Sequence, residues 1–161
     1  MEVRDPVAEL HDTRLFSLIA SLDQNYAQRI TRFVEAIAPI LATTERHFPY
    51  YTRHDAHHGF RVVRRMEQVL DKSCIGADAT NALAPAEIFL LISAAYAHDL
   101  GMTVFPDEAD ALLGALKLKK SPGWETDPAL QAHLRREHSK RGGEYILQSA
   151  DRLGIPVNLV N

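Results

Sequence analysis

The feature that most constrains the fold is an apolar segment that ends in two ionisable residues. Between Ile88 and Ala97 only Ser93 is polar, and His98 and Asp99 follow directly. The run is too short to span a bilayer, so we expect a buried element of a globular protein. Ionisable side chains at the tip of such an element are costly to desolvate without partners. A divalent metal ion would satisfy both, because imidazole nitrogens and carboxylate oxygens are good ligands for it.

Further histidines are gathered in two short stretches on either side of this segment. They are His54, His57 and His58 in YYTRHDAHHGFRVV, and His133 and His138 in AHLRREHSKRGG. A single histidine on an amphipathic helix is more often structural than a ligand, and a His-Asp dipeptide alone is a weak signal. We interpret the second such dipeptide, His54-Asp55, as a loop feature without a metal-binding role. His58 shares a helix face with Val62 and is expected to point toward the core.

The remaining sequence has the periodicity of helices. Apolar stripes predict helices near residues 7–23, 30–41, 55–72, 85–99, 107–118 and 128–153. Pro39 is expected to kink or end the second helix, and Asp127 with Pro128 has the composition of a helix start. Residues 46–52 and 76–81 are predicted to form a loop and a linker. Only the terminal stretch GIPVNLV is β-like, so the sequence predicts an all-α bundle of about five to seven helices.

Glycines mark three positions of this predicted bundle. Gly101 is expected to cap the helix that ends in the His-Asp pair. Gly142 and Gly143 lie inside the last predicted helix, where each costs about 1 kcal/mol relative to alanine. We interpret this pair as a place of close helix packing, with room for a substrate beside His138 as the alternative.

The chain of 161 residues is long enough for one domain with a sizeable core. We expect N-terminal helices over residues 1–45 and a functional core over residues 50–153. The sequence ends just as a new element begins, which favours a fragment of a longer protein. Cys74 is the single cysteine and no secretory signal is present, so we expect a cytoplasmic protein that makes no membrane contact. The net charge of −3 gives no electrostatic footprint for nucleic acid.

The order of these motifs resembles that of the HD superfamily of metal-dependent phosphohydrolases. His58-Gly-Phe-Arg-Val-Val is similar to the helix-opening motif H-S-x-x-V, and Ala97-His98-Asp99-Leu100-Gly101 to the h-H-D-h-G context of the His-Asp pair. His138-Ser-Lys-Arg-Gly142 is similar to a third motif, H-x-x-x-G. The stretches YTRHDAHH and EIFLLISAAYAHDLGM resemble more specifically an HD branch often fused to Hsp90-like ATPase regions. Together the similarities extend from about Tyr50 to Leu153.

The resemblance implies an HD-like helical bundle around a bound cation. One divalent metal ion would be held by His58, His98 and Asp99. The ion could be Mn, Fe, Mg, Ni or Zn, and the site as a whole would contain one or two ions. His138 would bind a second metal ion or a substrate phosphate. Asp99, His138 and Arg141 are then the candidate catalytic residues.

The substrate implied by the resemblance is a small phosphorylated molecule, in particular a nucleotide. Arg61 and Arg141 are the candidate phosphate-binding residues, because arginine makes bidentate contacts with phosphate. Taken singly, each is more often a solvated helix-surface residue. The resemblance also favours a fused ATPase or other domain beyond residue 161, and it is compatible with an oligomer.

The sequence departs from the family pattern at one ligand. The family's final metal ligand is an aspartate well after the third motif, and Asp151 comes too early to match it. The ligand lies beyond residue 161, or Asp151 is recruited, or the ligand has been lost. The leading hypothesis is a phosphohydrolase acting on a phosphoester or phosphoanhydride. The alternatives are a catalytically reduced HD module that binds nucleotide or metal and regulates an attached domain, and a structural domain with an accidental His-Asp pair.

Overall fold

A computed structural model of the chain describes residues 5–75, 82–156 and 159. Within these residues there are nine α-helical segments and no strand, as predicted. The segments are α1 Pro6–His11, α2 Arg14–Leu22, α3 Gln24–Leu41, α4 Thr44–His47, α5 Ala56–Val69, α6 Lys72–Ile75, α7 Pro85–Ala97, α8 Ala109–Ala115 and α9 Pro128–Gln148. Single 3₁₀ turns cover Leu100–Met102 and Trp124–Thr126. Because α4 and α6 are single turns, the seven longer helices agree with the predicted number.

The first predicted helix is in fact two helices, α1 and α2. Thr13 caps α2, since its hydroxyl oxygen accepts a hydrogen bond from the Phe16 amide at 3.1 Å. The prediction of a single helix was wrong because the apolar stripe continues across the break. Its buried members are Leu10, Leu15, Leu18 and Ile19.

The centre of the bundle is the contact between α3 and α7. α7 packs against α2, α3 and α5, and its residues Ile88 and Ile92 are fully buried. Phe89 meets Phe33 of α3 edge to face, with ring centroids 6.5 Å apart. The apolar run is therefore the buried element that the sequence predicts. Pro39 lies in the last turn of α3, which ends two residues later.

Local capping fixes the starts of α5 and α9. Asp55 caps α5 and Asp127 caps α9, where Pro128 takes the first position as predicted. α5 and α9 end a few residues before their predicted ends. The predicted loop over residues 46–52 was wrong at its start, since α4 extends to His47.

Gly101 has a different role from the predicted helix cap. It lies in the 3₁₀ turn after the His-Asp pair, where α9 passes so closely that a β-carbon would lie 2.0 Å from the carbonyl oxygen of His138. A β-carbon on Gly142 would in turn lie 3.3 Å from the Gly101 nitrogen. The close-packing interpretation of Gly142 is confirmed, whereas Gly143 borders open space. The contact fixes α9 directly against the turn that follows the His-Asp pair.

Some predicted segments lie outside the described residues. These are the linker over residues 76–81 and residues 157, 158 and 160 of the β-like stretch. Gly154 begins that stretch with a φ of +70°, a conformation that favours glycine. None of the described helices combines the length and the apolarity needed to cross a membrane.

Candidate metal centre

Three side chains from separate parts of the chain meet at one point. His54 comes from the loop before α5, His58 from the first turn of α5, and Asp99 from the turn after α7. Each offers one ligand atom, and these atoms all lie within 4.8 Å of one another. All three residues are partly buried.

Helix capping positions the histidines. The Asp55 carboxylate accepts a hydrogen bond from the His58 amide at 3.0 Å, which sets His58 in the first turn of α5. His98 ends α7, and its Nδ1 donates to the carbonyl oxygen of Ala95 at 3.0 Å. That hydrogen bond orients the ring so that Nε2 lies at the Asp99 carboxylate, and Nε2 is the nitrogen that a metal ion would take.

The Asp99 carboxylate is the centre of the cluster. Its Oδ2 lies 2.7 Å from Nδ1 of His54, 2.8 Å from Nε2 of His98 and 3.6 Å from Nε2 of His58. The two Nε2 atoms of His58 and His98 are 3.3 Å apart. His58, His98 and Asp99 therefore converge, as their positions at a helix start and a helix end predict.

The electrostatics of the cluster keep the carboxylate charged. Burial raises the pKa of Asp99, but hydrogen bonds from His98 and His54 outweigh it and bring that pKa to about 2. The hydrogen bond to Asp99 raises the pKa of His98 despite its burial. Burial and the neighbouring His98 lower the pKa of His58. The cluster thus pairs an anionic oxygen with a neutral imidazole at His58, which is the protonation state that a metal ligand needs.

His54 is the residue that sequence reasoning missed. We interpreted His54-Asp55 as a loop feature, yet the loop brings His54 Nδ1 within hydrogen-bond distance of Asp99. A signal was available in Asp55, the helix cap. The residue before a helix cap lies beside the first helical turn, where His58 is found.

His138 lies next to the cluster through its backbone. Its carbonyl packs on Gly101, but its imidazole contacts Arg135 O at 2.7 Å and the Ser139 hydroxyl at 3.3 Å, both on α9. Its side chain is partly buried. It does not belong to the group of ligand atoms within 4.8 Å. A role in binding a second metal ion or a phosphate therefore stays a prediction.

Arg141 is fixed by protein acceptors. Its guanidinium donates to the carbonyl oxygens of Gly101 and Thr103 at 3.2 and 2.7 Å. It also forms an ion pair with Glu108 at 2.6 Å, and its side chain is only 11% exposed. Binding of a phosphate by Arg141 stays a prediction that requires it to exchange some of these partners.

The other predicted residues lie at the edges of the centre. Arg61 is exposed on α5, one turn after His58, and its charge lowers the His58 pKa slightly. Asp151 lies in the turns after α9, where it lines a cleft of about 800 Å³ with Arg152 and Tyr145. Among the described residues, the group around Asp99 holds no second carboxylate.

Comparison with known proteins gives one match. The HD-CE family model matches residues 48–160, more than two thirds of the chain, and this is consistent with the HD superfamily. The matched range includes every member of the cluster and begins after α1, α2 and α3. No curated protein and no solved structure shows a significant match.

Proposed function

The chain belongs to the HD-CE family, and on this premise we propose that it is a metal-dependent phosphohydrolase. The proposed reaction is hydrolysis of a phosphoester or phosphoanhydride, in particular that of a nucleotide. The observation that carries the proposal is the group formed by His54, His58 and Asp99, with His98 beside it. A structural domain with an accidental His-Asp pair gives no reason for three imidazoles to surround one carboxylate oxygen.

The donor set fits a divalent cation. His58, His98 and Asp99 would be its ligands, and His54 would either join them or hold Asp99 in place. Mn, Fe, Mg, Ni and Zn all accept mixed nitrogen and oxygen ligation, although several imidazoles favour the transition metals over Mg. One or two ions per site are compatible with the proposal. When bound, such a cation acidifies its water and neutralises charge on phosphoryl oxygens.

The protein's own groups then have separate tasks. Asp99 remains ionised at neutral pH, since its pKa is about 2. Arg61 would attract the substrate phosphate from the surface of α5, because its side chain is exposed one turn after His58. His138 would reach the phosphate only after it leaves its hydrogen bond with Arg135.

A second candidate function is a catalytically reduced module that binds nucleotide or metal and regulates an attached domain. The observation that favours it is the single carboxylate in the described cluster. A second divalent cation at the same point would need further oxygen ligands. This candidate retains metal binding but has no turnover.

Metal analysis followed by a hydrolysis screen tests the proposal. The purified chain is expected to contain or take up a divalent metal, and to release phosphate from nucleotides with Mn²⁺ or Mg²⁺ added. Asp99→Ala should lose both properties. Asp110→Ala removes an exposed carboxylate on α8 and is the matched control.

The outcomes separate the candidates. Metal binding without phosphate release, across nucleotides and simple phosphoesters, would favour the regulatory module. A chain that binds no divalent metal ion would exclude the proposed phosphohydrolase.

A further inference from the structure

The segment between α4 and α5 connects α9 to the candidate metal centre. Phe48, at its start, is buried against Leu130 and Leu134 of α9. His54, near its end, is hydrogen-bonded to Asp99. Both ends of the segment are therefore fixed, one on the helix and one on the cluster.

Tyr51 in this segment is held in one orientation. Arg135 of α9 donates a hydrogen bond to its hydroxyl oxygen at 3.2 Å, and the guanidinium carbon lies 5.4 Å from its ring centroid. Phe48 meets the same ring edge to face, at a centroid distance of 5.4 Å. Tyr51 is nonetheless 48% exposed, so part of its ring borders solvent.

Tyr50, the preceding residue, is 97% exposed. Scattered exposed apolar side chains are ordinary in proteins, so exposure alone decides nothing. What distinguishes Tyr50 is its position in the segment that leads to His54. His54 follows four residues later, so their α-carbons are at most about 14 Å apart, roughly the length of a mononucleotide. Tyr51 contacts Arg135, Tyr50 adjoins Tyr51 in the chain, and the segment that carries both tyrosines continues directly to His54.

We propose that Tyr50, Tyr51 and Arg135 form a base-binding subsite that selects nucleotides over other phosphorylated molecules. The inference rests on the proposed function, because the phosphates of the same substrate would lie at the metal centre. Tyrosine rings stack on every nucleobase, since each base has a π face, and arginine adds a cation–π contribution. A small phosphoester without a ring would gain nothing from these side chains.

Binding of two probes tests the subsite without need of turnover. ADP carries a base and pyrophosphate does not, and their dissociation constants are measured by calorimetry on the full chain with Mn²⁺ present. Tyr50→Ala should weaken ADP binding about tenfold, from the energy of one base–aromatic stack. Tyr50→Phe, which keeps the ring, should bind ADP within about twofold of the native chain. Val69→Ala removes an exposed side chain at the end of α5 and serves as the control.

The probes distinguish failure of the subsite from failure of the proposed function. Pyrophosphate binding that is equal in all variants, together with ADP binding insensitive to Tyr50→Ala, would overturn the subsite and leave the function standing. Binding of neither probe to the metal-loaded chain would overturn both. Self-association in sedimentation that disappears in Tyr50→Ala, with ADP affinity unchanged, would instead assign the ring to an interface between copies of the chain.

Discussion

Two histidine–carboxylate hydrogen bonds of equal length have different surroundings in this protein. His54 Nδ1 lies 2.7 Å from Asp99, and His57 Nδ1 lies 2.7 Å from Glu9. The two histidines are separated by only two residues of the sequence. Asp99 has imidazoles of His58 and His98 beside it, whereas His57 is the hydrogen-bond partner of Glu9 within the described residues.

The comparison shows that the length of a hydrogen bond does not identify a functional site. What differs is how many donors converge on the carboxylate. The Glu9 pair joins α1 to α5, and the Glu9 side chain is 5% exposed whereas that of His57 is 47% exposed. Glu67 does the same for α2, because its carboxylate accepts a hydrogen bond from the Leu15 amide at 2.9 Å. α5 thus anchors the N-terminal helices with one set of polar residues and builds the candidate metal centre with another.

The strongest test of the comparison removes the central carboxylate. Asp99→Ala should reduce metal content below detection by elemental analysis, because the proposed ligands lose their only anionic member. Glu9→Gln, in the other pair, should retain the metal content of the native chain. Equal loss of metal in both variants would mean that Asp99 is no more important for metal binding than Glu9.

The second test removes the histidine of the structural pair. His57→Ala should destabilise the fold by about 1 kcal/mol in urea unfolding, because Glu9 loses its hydrogen-bond partner while the half-exposed position of His57 lets water replace part of that bond. The double variant His57→Ala/Glu9→Gln should recover part of this loss, since it removes the buried charge. Metal affinity should change little in either variant. No recovery in the double variant would contradict the assigned cause.

The third test concerns the histidine of the functional pair. His54→Ala should weaken metal binding roughly 10–100-fold, as expected for a group that orients or supplements the ligands. The free energy of unfolding of the metal-free chain should change less than in His57→Ala. Unaltered metal affinity in a titration would mean that His54 has no metal-binding role, as its sequence position suggests.

The smallest expected effect comes from His47, whose ring hydrogen bonds within the described residues go to backbone groups. Burial lowers the pKa of His47, whose Nδ1 donates to Glu125 O at 3.0 Å and whose Nε2 accepts from the Val104 amide at 3.4 Å. Below the ordinary histidine pKa of about 6.5, the unfolded chain binds a proton more readily than the folded chain. Stability should therefore fall as pH drops from 7.5 to 5.5, by at most about 1.4 kcal/mol per pH unit from one proton.

His47→Asn should flatten this part of the pH dependence of the unfolding free energy. His133→Asn, at a partly buried position of α9, controls for loss of a histidine elsewhere. An unchanged slope in His47→Asn would assign the pH dependence to other groups.

Much of the fold follows from local sequence signals. The start of α9 was predicted because the Asp127 side chain caps the helix and Pro128 fits its first turn, both without help from distant residues. The break between α1 and α2 was not predicted, because the apolar stripe continues on both sides of the cap residue Thr13. Gly101 was misassigned because its neighbour is α9, about forty residues later, and no local pattern reveals that approach.

The candidate site was likewise predictable only where local sequence signals mark its residues. His58, His98 and Asp99 could be found because each lies at a helix end that the sequence itself marks. His54 was missed, because the helix cap Asp55 places it only near the first turn of α5 and the path of the loop decides whether its ring reaches Asp99. The environment of Arg141 was equally hidden, because its partner Glu108 is 33 residues away and belongs to another part of the bundle.

The contacts of α5 with the N-terminal helices also have a consequence for the order of synthesis. The partner of Glu9, His57, lies 48 residues later in the chain. The partner of the Leu15 amide, Glu67, lies 52 residues later. At a translation rate of about 5–20 residues per second, α1 and α2 leave the ribosome roughly 2–10 s before α5 is available. During that interval α1 and α2 can pack on α3, but the surfaces that α5 and α7 cover and the Glu9 carboxylate remain exposed. We therefore expect the nascent chain to be most exposed to chaperones and proteases at this stage, and to become protected only once α5 and α7 have been made.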